Sequence, residues 1–283
     1  MHRGHRRAAL VAATALVAVL LAACGDDSGA ALDLPRAEQQ YDGPLYVEEG
    51  RYGAAGDVLG CRHDPAAGGS AGGDVYADGA TSDSVAKALA TARSEGMFLE
   101  LPDVELEIAK TESDRVLLTY SADETVRAAV IFRDGPATEG AGGDGWYRES
   151  WARCDLSEFP AEVAESYFGY QLWTGPDGLP ALTSKVVSFP GAQHCDWQST
   201  TFLALGEGRR DQAMYAKDPQ PELVEHMQGP YVDEMELPAD AVTTPYSREG
   251  QRLWLSPDER YAYVGKPGSV EGWPRTKPGF GCA

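Results

Sequence analysis

The sequence predicts an α+β fold built from two pseudo-symmetric, antiparallel β-rich repeats, each with one short helix and one disulfide. Three observations lead to this prediction. Apolar and polar residues alternate through several stretches, a pattern typical of half-buried strands. A set of short motifs recurs in the same order in the second half of the chain. Four of the 5 cysteines lie near the ends of the two repeats.

The recurring motifs keep nearly the same spacing, which favours an internal duplication. The first half contains, in order, Cys61, ELP (100–102), RVLL (115–118), SADE (121–124), GW (145–146) and Cys154. The second half contains Cys195, ELP (236–238), RLWL (252–255), SPDE (256–259), GW (272–273) and Cys282. Two unrelated halves that share common turn motifs are the alternative interpretation.

The chain begins with the features of an export signal, which we assign to residues 1–23. A basic start precedes an uncharged, apolar stretch over residues 8–20, which is shorter than a permanent membrane span. The stretch ends in Leu21-Ala22-Ala23-Cys24, which resembles the bacterial lipobox. This resemblance implies that Cys24 becomes a lipid-modified N-terminus, and two or more acyl chains anchor a protein stably. A plain secretory signal is the alternative.

The rest of the chain divides into four parts. Residues 24–40 are predicted to form a flexible tether, because small and polar residues dominate its start. Residues 41–158 form repeat unit 1, residues 159–184 form a connector, and residues 185–283 form repeat unit 2. The mature chain is long enough to bury a sizeable core.

Local patterns place the helices and strands of each unit. Ser82 or Asp83 is expected to cap a helix that runs to about Ser94. Alternation over residues 104–110 predicts a strand, and the segments around SADE and SPDE predict hairpins with acidic turns. The connector is predicted to contain a short helix from Ala161 to Tyr167. The segment KVVSFPGAQHCDW then opens unit 2 with a strand.

The cysteines predict two disulfides. Once Cys24 is assigned to the lipid, Cys61, Cys154, Cys195 and Cys282 remain. An even number of cysteines in an exported chain predicts disulfides, although four cysteines allow three pairings. The repeat favours Cys61 with Cys154 and Cys195 with Cys282, because each bond then closes one unit.

The charge of the chain argues against nucleic-acid binding. The sequence has 24 Lys and Arg against 44 Asp and Glu, a formal net charge of −20. Removal of the signal takes away Arg3, Arg6 and Arg7, which leaves 21 against 44, or −23. A surface this acidic repels phosphate backbones. We therefore expect no nucleic-acid partner.

No motif predicts a catalytic or metal site. Gly68-Gly69-Ser70-Ala71-Gly72 matches the G-x-S-x-G pattern, but no strand leads into it, so a flexible loop is predicted. His63 and His194 stand near cysteines, but the closely spaced ligand pairs of zinc sites are missing. We therefore expect neither a metal nor a cofactor.

Carboxylates and tryptophans are the other candidate functional residues. Asp123 and Asp258 occupy matching turns, where a solvated acidic face is favoured over calcium binding or acid/base catalysis. Trp173, in the connector, is predicted to pack between the lobes. The other five tryptophans are predicted to lie in the core: Trp146, Trp151, Trp197, Trp254 and Trp273.

Several stretches resemble a family of uncharacterised actinobacterial lipoproteins. They are HCDWQSTTFL, ELPADAV, LWLSPDERYAYV and GWPRTKPGFGCA, and the resemblance extends from about Tyr41 to Ala283. It implies an exported, envelope-attached protein with paired cysteines, and it supplies no active site.

These observations predict a lipid-anchored protein on the extracytoplasmic face of the cell membrane. We expect a non-enzymatic module that binds an envelope protein or glycan, because no catalytic set is present. A hydrolase that acts on envelope material through acidic residues such as Asp123 or Asp258 is the first alternative. A solute-binding lipoprotein of a transporter is the second, although such folds alternate strands and helices.

Overall fold

The structure, a computed structural model, describes residues 32–47, 52–70, 81–94, 104–136, 143–207 and 212–281. These residues form three antiparallel β-sheets and a few short helices. The predicted export signal, Cys24 and Cys282 lie outside the described residues. Within the described ranges, none of the helices has the length and apolar character needed to cross a membrane.

Sheet I has five strands in the order β1-β5-β4-β3-β2. The strands are β1 (Ala67–Ser70), β2 (Glu107–Thr111), β3 (Arg115–Ala122), β4 (Thr125–Pro136) and β5 (Asp144–Arg153). The predicted SADE hairpin joins β3 to β4. Its turn residues Asp123 and Glu124 have φ angles of 49° and 59°, as a two-residue type I′ turn requires.

Alternate side chains in the strands of sheet I point to opposite sides of the sheet. Both of the resulting faces are buried. The helix α1 (Ala54–Asp57) covers one face, against a cluster that includes Leu117, Ala129 and Ile131. The helix α2 (Val85–Ser94) covers the other face with Val85, Ala88, Leu89 and Ala92. The predicted helix ending at Ser94 is therefore confirmed.

The strand β1 occupies a stretch that was predicted to be a loop. Residues Ala67–Ser70 pair with Ser150–Arg153 of β5. A Cβ atom at Gly68 would collide with the ring of Tyr52 and lie 2.7 Å from the carbonyl oxygen of Trp151. The glycines therefore allow close packing at a sheet edge, where the composition suggested only flexibility.

Residues 32–40, predicted as part of the tether, are packed on sheet I. Leu32 and Leu34 contact the core on the α2 side, and Ala37 is buried on the opposite side. The Ile108 N–H donates to the Pro35 carbonyl at 2.8 Å, and the Ala37 N–H donates to the Ile108 carbonyl at 3.0 Å. The described part of this segment thus wraps around the β2 edge.

The connector contains the predicted short helix. The 3₁₀ helix Leu156–Glu158 follows sheet I, and α3 (Ala161–Phe168) comes next. Gly169 ends α3 in the left-handed conformation with a φ of 63°, which is the usual way for glycine to end a helix.

The chain from Gln171 onward forms two sheets, whereas one was predicted for repeat unit 2, and the first strand of sheet II lies within the predicted connector. Sheet II has the order β6-β7-β8-β9, with β6 (Gln171–Leu172), β7 (Val186–Pro190), β8 (Thr201–Leu205) and β9 (Ala213–Lys217). Sheet III has the order β10-β14-β13-β12-β11, with β10 (Val232–Met235), β11 (Val242–Arg248), β12 (Gln251–Leu255), β13 (Tyr261–Lys266) and β14 (Ser269–Pro274). A 3₁₀ helix, Pro221–His226, lies between β9 and β10.

Sheets II and III share a core centred on Trp173. This residue is fully buried, and its indole N–H donates to the Ser188 hydroxyl at 3.0 Å. The cluster combines side chains from both sheets: Val186, Leu203, Tyr215, Leu253, Ala262, Val264 and Trp273. Trp173 therefore packs between sheets II and III, and the prediction that it packs between the repeat lobes is corrected.

A disulfide joins Cys61 to Cys154, with their Cα atoms 5.3 Å apart. This is the pairing that the repeat favoured. Cys195 is also disulfide-bonded. The predicted link from Cys195 to Cys282 stays a prediction, because Cys282 lies outside the described residues.

The buried Tyr215 predicts a loss of stability at high pH. Burial is the main cause that raises the pKa of its phenol from 10.0 to about 12. The unfolded chain loses this proton near pH 10 while the folded chain keeps it, so the stabilisation is present below pH 10 and is lost as the pH rises through about 12. Two pKa units correspond to about 2–3 kcal/mol.

We expect Tyr215→Phe to lose less stability than the wild type between pH 10 and pH 12. The variant also loses the hydrogen bond from the Tyr215 hydroxyl to the Glu259 carbonyl, so it should be slightly less stable at neutral pH. Denaturant unfolding followed by circular dichroism across this pH range measures both effects. Tyr46→Phe, at a more exposed ring, is the control, and the same pH dependence in Tyr215→Phe and wild type would contradict the prediction.

Candidate functional site

Two cavities lie where the connector meets sheet II. The first, which we call the polar cavity, has a volume of about 380 Å³ and is lined by His63, Asp64, Ala66, Asp155, Leu182 and Ser184. The second, the sheet pocket, has a volume of about 250 Å³ and is lined by Tyr170, Thr183, Val187, Phe189, Ala204, Gln212 and Met214. Leu182 and Ser184 line one cavity while Thr183 lines the other. The two cavities therefore flank one segment, and we call them together the junction cleft.

The Asp155 carboxylate holds sheet I to this segment. One of its oxygens accepts from the Ser157 N–H and the Thr183 N–H, both at 2.9 Å. The other accepts from the Thr183 hydroxyl at 2.7 Å. Asp155 and Thr183 are both buried. Three hydrogen bonds to one buried carboxylate fix the wall of the polar cavity and leave Asp155 little capacity to bind a ligand.

A second buried carboxylate, Glu158, lies beside the disulfide. Its Oε2 accepts from the Arg62 N–H at 2.7 Å and from the Arg127 guanidinium at 2.9 Å. The side chain of Glu158 has no exposed surface, and its Oε1 is buried without a hydrogen-bond partner. The Arg62 guanidinium also donates to the Ser157 carbonyl at 3.3 Å. This cluster connects the residues that follow Cys61 to those that follow Cys154.

The polar cavity does not contain a hydrogen-bonded catalytic set. His63 and Asp64 are exposed at its rim, and neither His63 nor Ser184 makes a side-chain hydrogen bond to any described residue. A nucleophilic serine needs a base within hydrogen-bond reach, which in turn is oriented by a third group. What the geometry offers is a polar surface with exposed donors and acceptors.

The sheet pocket lies against one face of sheet II. Val187, Ala204 and Met214 are direct cross-strand neighbours and form its floor. Further along the same face, a second cluster covers the sheet with Leu223, Met227, Trp197 and Phe280. Tyr170 and Phe189 form a wall, with ring centroids 5.9 Å apart. The Gln212 side-chain amide donates to the Thr183 carbonyl at 3.2 Å.

The acidic residues singled out in the sequence lie away from both cavities. Asp123 belongs to the β3–β4 turn, and Asp258 belongs to the turn between β12 and β13. Hydrogen bonds from the Ser256 hydroxyl and the Arg260 N–H lower the pKa of Asp258. In the described part of the chain, no three histidine, cysteine, aspartate or glutamate residues group in a way that could hold a metal ion.

The other predicted core tryptophans are buried to different degrees. Trp254 and Trp273 are buried in sheet III, while Trp146 and Trp151 are partly buried against the core of sheet I. Trp197 is stacked on Phe280, with ring centroids 4.9 Å apart. None of these five lines either cavity.

Sequence reasoning missed most of the junction cleft. His63 had been considered as a metal ligand, whereas Thr183 and Gln212 belong to no motif. The alternation in KVVSFP places Val187 and Phe189 on one face, and this was the local indication that one side of β7 packs against other residues.

The chain matches no protein-family model, no curated protein and no solved structure.

The buried position of Glu158 predicts a large effect of its removal. Glu158→Gln keeps the shape of the side chain but leaves Arg62 and Arg127 without a counter-charge. Loss of one partner from a buried ion pair costs about 3–5 kcal/mol, and the partial exposure of Arg62 reduces this to about 2–3 kcal/mol.

Denaturant unfolding at neutral pH measures the free energy of unfolding of this variant. Glu207→Gln is the matched control, because Glu207 pairs with Lys185 at 3.8 Å but is almost fully exposed. We expect the control to behave as the wild type. A Glu158→Gln protein as stable as the control would show that the buried pair contributes nothing.

Proposed function

We propose that the protein is a membrane-anchored, extracytoplasmic lipoprotein that binds an envelope partner, a protein or a glycan, through the junction cleft. The observation that carries the binding proposal is the pair of adjoining cavities that flank Thr183, each of which presents both polar and apolar surface. Binding sites combine apolar walls with a few placed polar groups, and such sites commonly lie where structural units meet.

The anchoring part of the proposal depends on the sequence around Cys24. Leu21-Ala22-Ala23-Cys24 has the spacing of a lipobox, and Leu32, which packs against the core of sheet I, lies only eight residues later. A lipid on Cys24, with palmitate among its acyl chains, would place the body close to the membrane surface. The family resemblance to actinobacterial lipoproteins also stays part of this proposal.

We also propose that the two units are divergent copies. Sheets I and III have the same strand order. In each sheet, four consecutive strands lie side by side, and a fifth strand from earlier in the chain pairs with the last of the four. The matched SADE and SPDE motifs both form turns within these meanders. The additional sheet II and the 3₁₀ helix Pro221–His226 are differences that a divergent copy would have acquired.

We expect Cys24→Ala to abolish the anchor. Cells that express the full chain are grown with radiolabelled palmitate and then separated into membrane and soluble fractions. The wild type should carry the label and remain with the membranes, whereas Cys24→Ala should lose both properties, because no acyl chain remains. Ser28→Ala is the control and should behave as the wild type, and label on the Cys24→Ala protein would refute lipidation at Cys24.

We expect a photoreactive residue at Ser184 to capture a partner in native membranes. His63→Ala/Asp64→Ala removes two exposed side chains at the rim of the polar cavity and should reduce capture at least about fivefold. The matched control is His194→Ala/Asp196→Ala, because these side chains are exposed at the corresponding place in unit 2. Equal capture in the two double variants, or no capture from Ser184, would rule out the cleft as the binding site.

A further inference from the structure

The size of the sheet pocket limits what it can accept. Its volume is about 250 Å³. A cavity of about 150 Å³ is enough for one benzene ring, whereas drug-sized ligands occupy about 300–1,000 Å³. The pocket therefore has room for one aromatic side chain.

The lining of the pocket selects a neutral group. None of its seven described lining residues is charged, although 24% of the chain consists of Asp, Glu, Lys and Arg. The floor of Val187, Ala204 and Met214 is aliphatic, and the Met214 thioether is suited to contact the edge of an aromatic ring. A guanidinium or ammonium group would find no carboxylate among these residues, so burial of a cation would be costly.

The side-chain oxygen of Gln212 is an acceptor of the pocket that is available to a ligand. The Thr183 hydroxyl already donates to Asp155, and the Gln212 amide nitrogen already donates to the Thr183 carbonyl. The Gln212 side-chain oxygen makes no hydrogen bond to any described residue. An aromatic group that carries an N–H or O–H can donate to this oxygen while its ring lies on the apolar floor.

We infer that the sheet pocket receives a single tryptophan or tyrosine side chain from a partner protein. This inference depends on the proposed function and narrows its partner to a protein. Tryptophan and tyrosine are the neutral side chains that most often anchor protein interfaces in well-packed pockets. The cavity is open to solvent on one side, so an anchored side chain can enter while its backbone remains outside.

The inference is tested with two small probes, N-acetyltryptophanamide and N-acetylphenylalaninamide. They share an aromatic ring and a capped backbone, but only the first has a ring N–H. Binding to the full chain is measured by ligand-observed NMR in lipid nanodiscs, because detergent would compete for an apolar pocket. Empty nanodiscs correct for partition of the probes into lipid.

We expect the tryptophan probe to bind about fivefold more tightly than the phenylalanine probe, as one additional hydrogen bond allows. Gln212→Leu should bring this ratio to about one, and Ala204→Leu should abolish binding by filling the floor. Gln198→Leu is the control, because Gln198 is an exposed glutamine whose amide donates to the Gln193 carbonyl. If thermal unfolding shows that Ala204→Leu does not fold, the test depends on Gln212→Leu alone. The deciding quantity is then the ratio of the affinities of this variant for the two probes.

Equal binding of the two probes, or binding of neither, would overturn the inference. An unchanged preference in Gln212→Leu would overturn the role of the Gln212 oxygen. Capture of a partner from Ser184 without probe binding would remove the pocket assignment and leave the proposed function intact. Probe binding without any captured partner would point to a free small ligand and would refute the protein partner.

Discussion

The Cys61–Cys154 disulfide is the constraint on which the junction cleft depends. It joins residues 93 positions apart in the sequence and brings the segment after Cys61 against the segment after Cys154. The two buried carboxylates, Asp155 and Glu158, follow immediately and accept hydrogen bonds from both sides of the junction. A covalent bond sets the approach of the two segments, and charge-assisted hydrogen bonds then fix their orientation.

Sheet II has two faces with different roles. One face packs on sheet III around Trp173, where Leu203 and Tyr215 are fully buried. On the other face, the cluster that includes Leu223 and Met227 packs against one end, and the sheet pocket lies at the other end. Because strand residues alternate between faces, the packing that stabilises one face also holds the pocket residues of the other in place. The pocket floor is therefore rigid, which favours a defined ligand orientation.

The charge distribution separates the pocket from the rest of the surface. The chain carries a formal net charge of −20, yet the described lining of the sheet pocket is uncharged. Acidic side chains such as Asp123 and Asp258 instead occupy exposed turns, where they support the hairpin geometry or remain hydrated. An acidic surface keeps a protein soluble and repels anionic polymers. Affinity for a partner would then come mainly from contacts in the neutral pocket, and the acidic surface would contribute little to it.

By itself, the sequence determined the antiparallel β-rich character, the helix that ends at Ser94, the connector helix and the acidic hairpin turns. These features follow from periodicity and turn residues within short stretches. It also indicated the Cys61–Cys154 pair, through the order and spacing of the recurring motifs. Only the tertiary structure decided that the second unit forms two sheets, that Ala67–Ser70 is a strand, and that Trp173 packs between sheets II and III. The cleft was decided in the same way, because Asp155 and Gln212 reach Thr183 only after distant segments have packed, and no local pattern records such contacts.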